Sequence, residues 1–195
     1  MIHICDNFFN DPYKVRNLAL KQKFVQDTFN YPGVRSNTVP FDVLKYIVSR
    51  MGKILEVDSL IVKSSSFQYI TEQYHDGIYH YDNADYIGII YLTPNPPANT
   101  GTEVCDSNQV FDTLDTSEVI RLKESFHEDP SNLIKRYRYA KIRKKLNSYY
   151  NPIMKVPNKF NRILIFPATF FHRSQNFFGT SIENSRLTLV SFFEK

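Results

Sequence analysis

Apolar residues recur at helical spacing in two N-terminal stretches, and at strand-like spacing over much of the remaining chain. The opening residues alternate before turning polar, which predicts a short strand. Asp11-Pro12 then supplies an N-cap and a first-turn proline, with Val15, Leu18 and Ala19 following at helical spacing. Past Pro40, the residues Val43, Leu44, Ile47, Val48 and Met51 fall on one face of a second helix. Tyr31-Pro32-Gly33 between the two helices is turn chemistry: proline presets one backbone angle and glycine is free to take a positive one. From Ser64 the pattern becomes one of strands. The runs 66–70, 86–92, 162–166 and 186–193 are rich in β-branched and aromatic residues and are bounded by Asn, Asp, Gly and Pro, which predicts one antiparallel β structure.

A two-helix insertion is expected between Asp106 and Asn151. Asp115 followed by Glu118 reads as a capping box, and Asp129-Pro130 opens the second helix as Asp11-Pro12 opens the first. That second helix carries Lys135, Arg136, Arg138, Lys141, Arg143, Lys144 and Lys145. It would pack inward either Leu133, Tyr137 and Ala140, or Tyr139, Ile142 and Leu146. The basic residues read as a solvated face, with a surface for an acidic partner as the other reading.

The chain has 195 residues, 42% hydrophobic and 15% aromatic, which suits one core and predicts a single domain over 1–195. Within it we expect N-terminal helical support over about 1–62, and a β core over about 63–195 interrupted by the helical insertion at about 106–151. No apolar stretch is long enough for a signal peptide or a membrane span, so a cytoplasmic protein with no membrane partner is expected. Cys5 and Cys105, far apart and without a CxxC spacing, read as reduced thiols. A formal charge of +4 is too small to make nucleic acid the favoured partner.

Of the five histidines, only His80 lies two residues from a carboxylate in a segment that can be extended. In a strand, residues i and i+2 project to one face, so His80 and Asp82 can converge on one ion while Tyr81 points away. His172 from a distant strand would complete a facial triad that leaves coordination sites open, the arrangement of non-haem Fe(II) oxygenases. Arg186 follows His172 by 14 residues, at the start of an apolar strand-like run, and Thr188 shares its face. A cation buried there needs a partner. A dicarboxylate cosubstrate would supply one through the guanidinium fork, whereas an internal Asp or Glu, or an exposed strand edge, is the plainer alternative.

The order Tyr69, His80-Tyr81-Asp82, Ile90-Tyr91-Leu92, the His172 turn and Arg186-Leu187-Thr188 resembles the prolyl-hydroxylase-like 2-oxoglutarate/Fe(II) dioxygenases. Tyr31-Pro32-Gly33-Val34-Arg35, Asp85-Tyr86, Tyr91-Leu92-Thr93-Pro94, Gly101-Thr102, Asn161-Arg162 and Phe178-Gly179 are similar to an uncharacterised branch of that superfamily found in bacteria and their phages. The resemblance implies a mainly β fold with flanking helices, a double-stranded β-helix (jelly-roll, cupin-like) core. It implies Fe(II) on His80, Asp82 and His172, with Arg186 on the distal carboxylate of 2-oxoglutarate and Tyr91, with Thr188 or Tyr69, hydrogen-bonding the same cosubstrate. The implied reaction uses O2, releases succinate and CO2, and hydroxylates a small-molecule or peptide substrate. Glu103-Val104-Cys105 departs from the aromatic and basic residues expected in that branch, as does the long insertion after it.

Other readings remain at this stage. His75-Asp76 is the doublet of metal phosphohydrolases, but Gly77 follows at once and no other histidine stands at helical spacing to it, so His75 reads as a turn or pocket-rim residue. His3 and His127 read as structural. A cupin-like metal enzyme that does not use 2-oxoglutarate would have no dicarboxylate for Arg186 and Thr188 to hold. A non-catalytic binding module would present the basic helix as its contact surface. Tyr74, Tyr79 and Tyr86 read as core or as an aromatic pocket.

Overall fold

The computed structural model describes residues 1–26, 31–74, 76–105 and 116–195. Asp115 of the expected capping box and His75 lie outside the described residues. The first helix, α1 (Pro12–Leu20), follows strand β1 (His3–Cys5), and Asp11 caps it by accepting from the Lys14 amide at 3.0 Å. Two short strands, β2 (Phe24–Val25) and β3 (Val34–Ser36), precede α2 (Phe41–Leu55), whose Val43, Ile47 and Met51 are buried. The N-terminal segment is thus more than helical support, because its strands join the main sheet. β1 pairs with the strand at 163–167, and β3 pairs with β4 (Ile61–Ile70), which begins five residues before the run its composition suggests.

Beyond β4, the chain winds between two antiparallel sheets. β4, β5 (Tyr86–Tyr91), β8 (Ile163–Pro167) and β10 (Arg186–Glu194) form the centre of a seven-stranded sheet ordered β1-β8-β5-β10-β4-β3-β2. β6 (Gly101–Val104), β7 (Met154–Pro157) and β9 (His172–Gln175) form a smaller sheet ordered β7-β6-β9, extended beyond β9 by a single bridge from His172 to His80. The successive core segments therefore fall in the large, small, large, small, small, large, small and large sheets, the winding of a jelly-roll or double-stranded β-helix.

Alternation along the large sheet separates two cores. One face packs Phe67, Leu187, Leu189 and Phe193 against α1 and α2. The other turns Ile87, Ile89, Tyr91, Leu164, Phe166 and Val190 toward Val104 and Val156 of the small sheet. At Gly88 a side chain would meet the Met51 sulfur, so glycine there lets α2 settle on the sheet.

Between β6 and β7 lie α3 (Thr116–Glu128) and α4 (Leu133–Asn147), which close one end of the barrel. Phe126 and Tyr139 pack with Ile70, Tyr74 and Phe177, the two rings stacked at 4.8 Å. The inward set on α4 is Tyr139, Ile142 and Leu146, whereas Leu133 and Tyr137 are exposed. Asn132, not Asp129, caps α4, accepting from the amides of Ile134 and Lys135 at 3.1 Å, and Asp129 instead accepts from the Ser131 hydroxyl. Among the described residues no helix is long and apolar enough to cross a membrane. Cys5 and Cys105 are both free thiols.

Candidate metal and cosubstrate site

His80 and His172 are an antiparallel bridge pair that exchanges both backbone hydrogen bonds, at 3.1 and 2.8 Å, so their side chains stand side by side with ring centroids 4.4 Å apart. Asp82 lies outside any regular strand but is anchored by its amide to the Ala168 carbonyl at 2.9 Å. Its Oδ2 sits 3.3 Å from Nε2 of His172 and 3.8 Å from Nε2 of His80. One ligand atom from each of the three lies within 4.8 Å of the others. Tyr81 between them is 62% exposed, its ring edge-on to Phe171.

Each histidine is aimed by its backbone. Nδ1 of His80 is 2.9 Å from the Ile78 carbonyl and Nδ1 of His172 is 3.0 Å from that of Phe170. Those carbonyls can only accept a hydrogen bond, so Nδ1 is the protonated nitrogen and the Nε2 lone pair faces the centre, as a metal requires. Enclosure by protein atoms and the His172 ring push His80 below the usual imidazole range, although 55% of its side chain reaches solvent at the cavity mouth. Burial raises the Asp82 carboxyl, but His172, His80 and Arg35 together outweigh it and hold the carboxyl below its usual range. Two neutral imidazoles and one carboxylate on one side of an ion leave its other side open.

A cavity of about 430 Å³ runs from this triad to Arg186, walled by Ile87, Ile89 and Val190 of the large sheet and by Ser174 of the small one. Arg186 is 1% exposed, and its Nε is buried without a hydrogen-bond partner. Its Nη1 and Nη2 reach the hydroxyls of Thr188 and Thr102, at 3.4 and 3.5 Å, and the Tyr91 hydroxyl interacts with it as well. Among the described residues no carboxylate pairs with it. Burial lowers its pKa, Tyr91 works against that, and a guanidinium stays charged regardless.

Cross-strand register places the other sequence-selected residues. Thr188 faces Gln68 and Tyr91 across the sheet and shares the Arg186 side. The Tyr91 ring lies 5.6 Å beneath the Arg186 guanidinium and its hydroxyl donates to Thr102 at 2.7 Å, so it supports the arginine from the core between the two sheets. Tyr69 pairs with Leu187, one residue out of phase with Arg186. Its ring therefore faces the helical layer, edge-on to Phe24, and lies off the cavity wall. Tyr86 also packs in that layer, while Tyr74 belongs to the cluster under α3 and α4.

Sequence reasoning gave no role to Thr102, Arg35 or Lys123, all at this site, whereas His127, expected to be structural, packs among Tyr74, Phe126 and Tyr139. Thr102 was visible as part of Gly101-Thr102, but only strand pairing shows that β6 carries it beneath Arg186. The departure at Glu103 is a packing device of the small sheet. Its buried carboxylate accepts from Tyr79 at 2.5 Å and Arg173 at 2.7 Å and pairs with Lys155 at 2.9 Å, clamping β6, β7 and β9 together.

Solved structures of similar fold include HygX from Streptomyces hygroscopicus, described with nickel, 2-oxoglutarate and hygromycin B bound. It is 11% identical, with a TM-score of 0.63 over 99% of this chain and 82% of that one. A prolyl hydroxylase from Trichoplax adhaerens, in complex with a hypoxia inducible factor peptide fragment, is 12% identical, with a TM-score of 0.58 over 99% and 83% of the two chains. The viral collagen prolyl hydroxylase of Paramecium Bursaria Chlorella virus-1, a 2-oxoglutarate complex, is 11% identical, with a TM-score of 0.58 over 98% and 94%. The fold is thus that of the 2-oxoglutarate/Fe(II) oxygenases. By sequence, the chain belongs to DUF6445, a family of unknown function whose profile matches residues 1–193. No curated protein matches it.

Proposed function

We propose that this protein is a non-haem Fe(II)- and 2-oxoglutarate-dependent dioxygenase that hydroxylates a small-molecule or peptide substrate. The observation that carries the reading is Arg186, a buried guanidinium with an orphaned Nε and no acidic partner among the described residues, at the far end of a cavity that opens on two histidines and an aspartate. A buried cation left without a counter-charge costs several kcal/mol, and a dicarboxylate reaching from the triad to Arg186 removes that cost. A metal enzyme that did not use such a cosubstrate would have no need of it.

His80, Asp82 and His172 would hold the metal, with Nε2 of each imidazole and a carboxylate oxygen as ligands. When bound, Fe(II) with 2-oxoglutarate and O2 supplies oxidation of an unreactive C–H bond, one oxygen atom entering the substrate while the keto acid becomes succinate and CO2. Arg186 would fork onto the distal carboxylate, Thr188 and Thr102 would complete its hydrogen bonds, and Tyr91 would fix the arginine's height below the metal. The aliphatic wall of Ile87, Ile89 and Val190 would keep water from the cosubstrate's chain.

The test is iron-dependent conversion of 2-oxoglutarate to succinate by the purified protein. We expect turnover in the wild type and loss of at least about a hundredfold in Asp82→Ala or His80→Ala. Undiminished turnover in either variant would sink the metal assignment.

A further inference from the structure

The cavity holds more positive charge than a metal and 2-oxoglutarate would use. Arg35, on β3, stacks its guanidinium 4.0 Å over the Tyr31 ring and lines the cavity beside Asp82. Its Nε is buried without a hydrogen-bond partner, and among the described residues it makes no ion pair. Lys123 lines the same cavity from α3, within electrostatic reach of His80 and Asp82, and likewise has no ion pair among the described residues. Asp82 is the sole carboxylate among the described residues of the wall.

Resting on the functional reading above, the charges can be followed through. The metal's two positive charges and that of Arg186 are balanced by Asp82 and the two carboxylates of 2-oxoglutarate. Arg35 and Lys123 remain, two cations on the cavity wall with no ion pair among the described residues, Lys123 being offset only at longer range by Glu124 of its own helix, and an enclosed unpaired charge is costly. Arg35 is also held in place. Tyr31 backs its guanidinium, Gly33 takes φ +74° at the turn that delivers it, and Gln68 ties that turn down by donating to the Pro32 carbonyl at 2.9 Å. A planar fork pre-set in this way suits an oxyanion.

We propose that Arg35 and Lys123 form the substrate subsite, and that the substrate is a small molecule whose carboxylate or phosphate they bind, bringing an apolar body against Ile78, Phe177 and Tyr139 next to the metal. The roof helices α3 and α4 then have a role in recognition, because they supply Lys123 and Tyr139.

The test uses protein loaded without oxygen with Fe(II) and saturating 2-oxoglutarate, whose visible charge-transfer absorbance reports the metal's surroundings. Isovalerate, 3-methylbutyl phosphate and the neutral isovaleramide are titrated separately. At least one anion should perturb the band with an affinity about tenfold or more above the amide's, and whichever anion binds tighter identifies the headgroup. In Arg35→Met combined with Lys123→Met the band should form as before, with the preference for the anion reduced below about twofold, and Arg35→Lys should retain part of it. Failure of both anions to perturb the band, equal perturbation by the amide, or loss of the band as an anion displaces 2-oxoglutarate would each overturn the proposal. So would failure of the double variant to form the band, which would make Arg35 or Lys123 a support for the metal site. If no band forms in the wild type before any anion is added, it is the functional reading that has failed.

Discussion

At the scale of single residues, the proposal of a cosubstrate site in place of a plain metal site rests on Arg186. Its guanidinium meets two threonine hydroxyls at the outer limit of hydrogen bonding and leaves Nε with nothing, so the fork is poorly satisfied by the protein's own groups. Lysine at this position would keep the charge and lose the fork. We therefore expect Arg186→Lys to raise the KM for 2-oxoglutarate by about tenfold or more while leaving metal affinity within about twofold, as measured by succinate formation and metal titration. Much of this was legible in the sequence, because a cation and a hydroxyl two apart in an apolar run, and a histidine and aspartate two apart in an extended one, announce themselves by period. Tyr69 misled for the complementary reason. It lies in a strand beside Arg186, but which face it takes depends on pairing with Leu187, a register that the linear pattern does not carry. Thr102 and Arg35 are ordinary residues in ordinary strands until the fold brings them to the cavity.

At the scale of elements, the segments that position the site rest on a few local devices. Gly33 turns the chain into β3, and a β-carbon there would meet the Tyr69 carbonyl at a positive φ that alanine resists. Gly33→Ala should cost about 3 kcal/mol in urea unfolding and weaken whatever Arg35 holds. On the opposite edge, Asp6 just beyond β1 takes a bidentate pair from Arg162 at 2.6 and 3.1 Å and a third contact from Lys159 at 2.7 Å. Arg162 and Lys159 pull its carboxyl down to about 2, with the small cost of burial working against them. A depressed carboxyl stabilises the fold above its unfolded pKa and ceases to do so as the pH falls through its folded one. Asp6→Asn should accordingly lose about 1 kcal/mol at neutral pH, the partial exposure of the cluster keeping the figure small, and the difference from wild type should shrink between about pH 4 and pH 2. The α1 and α2 helices and the long strands were readable from period and capping. The short strands β2, β3, β6, β7 and β9 were not, because two to four residues give too little pattern to distinguish a strand from a loop until a partner supplies the hydrogen bonds. The start of α4 was misjudged because Asp129-Pro130 and Asn132 both carry cap chemistry, and only the amide geometry selects Asn132.

At the scale of the whole molecule, the jelly-roll winding assembles a site from five distant stretches of chain. The small sheet contributes His172 and, by a single bridge, His80 with Asp82 two residues on. The large sheet contributes Arg186 and the apolar wall, the N-terminal edge contributes Arg35, and the inserted helices contribute the roof with Lys123. On the proposed function, the inner face of the barrel is thereby divided into an end with the His80, Asp82 and His172 triad, an end with Arg186 and an opening between them. This division predicts that metal and cosubstrate bind as a unit, each strengthening the other, since the keto acid can reach Arg186 and the triad's ion at once. The most direct measurement is calorimetric titration of 2-oxoglutarate into the protein with and without Mn(II), in the wild type and in Arg186→Met. The account predicts one 2-oxoglutarate per chain, bound at least about tenfold tighter when Mn(II) is present, with that binding lost in the variant. Binding that is indifferent to the metal, or that survives removal of Arg186 unchanged, would contradict it.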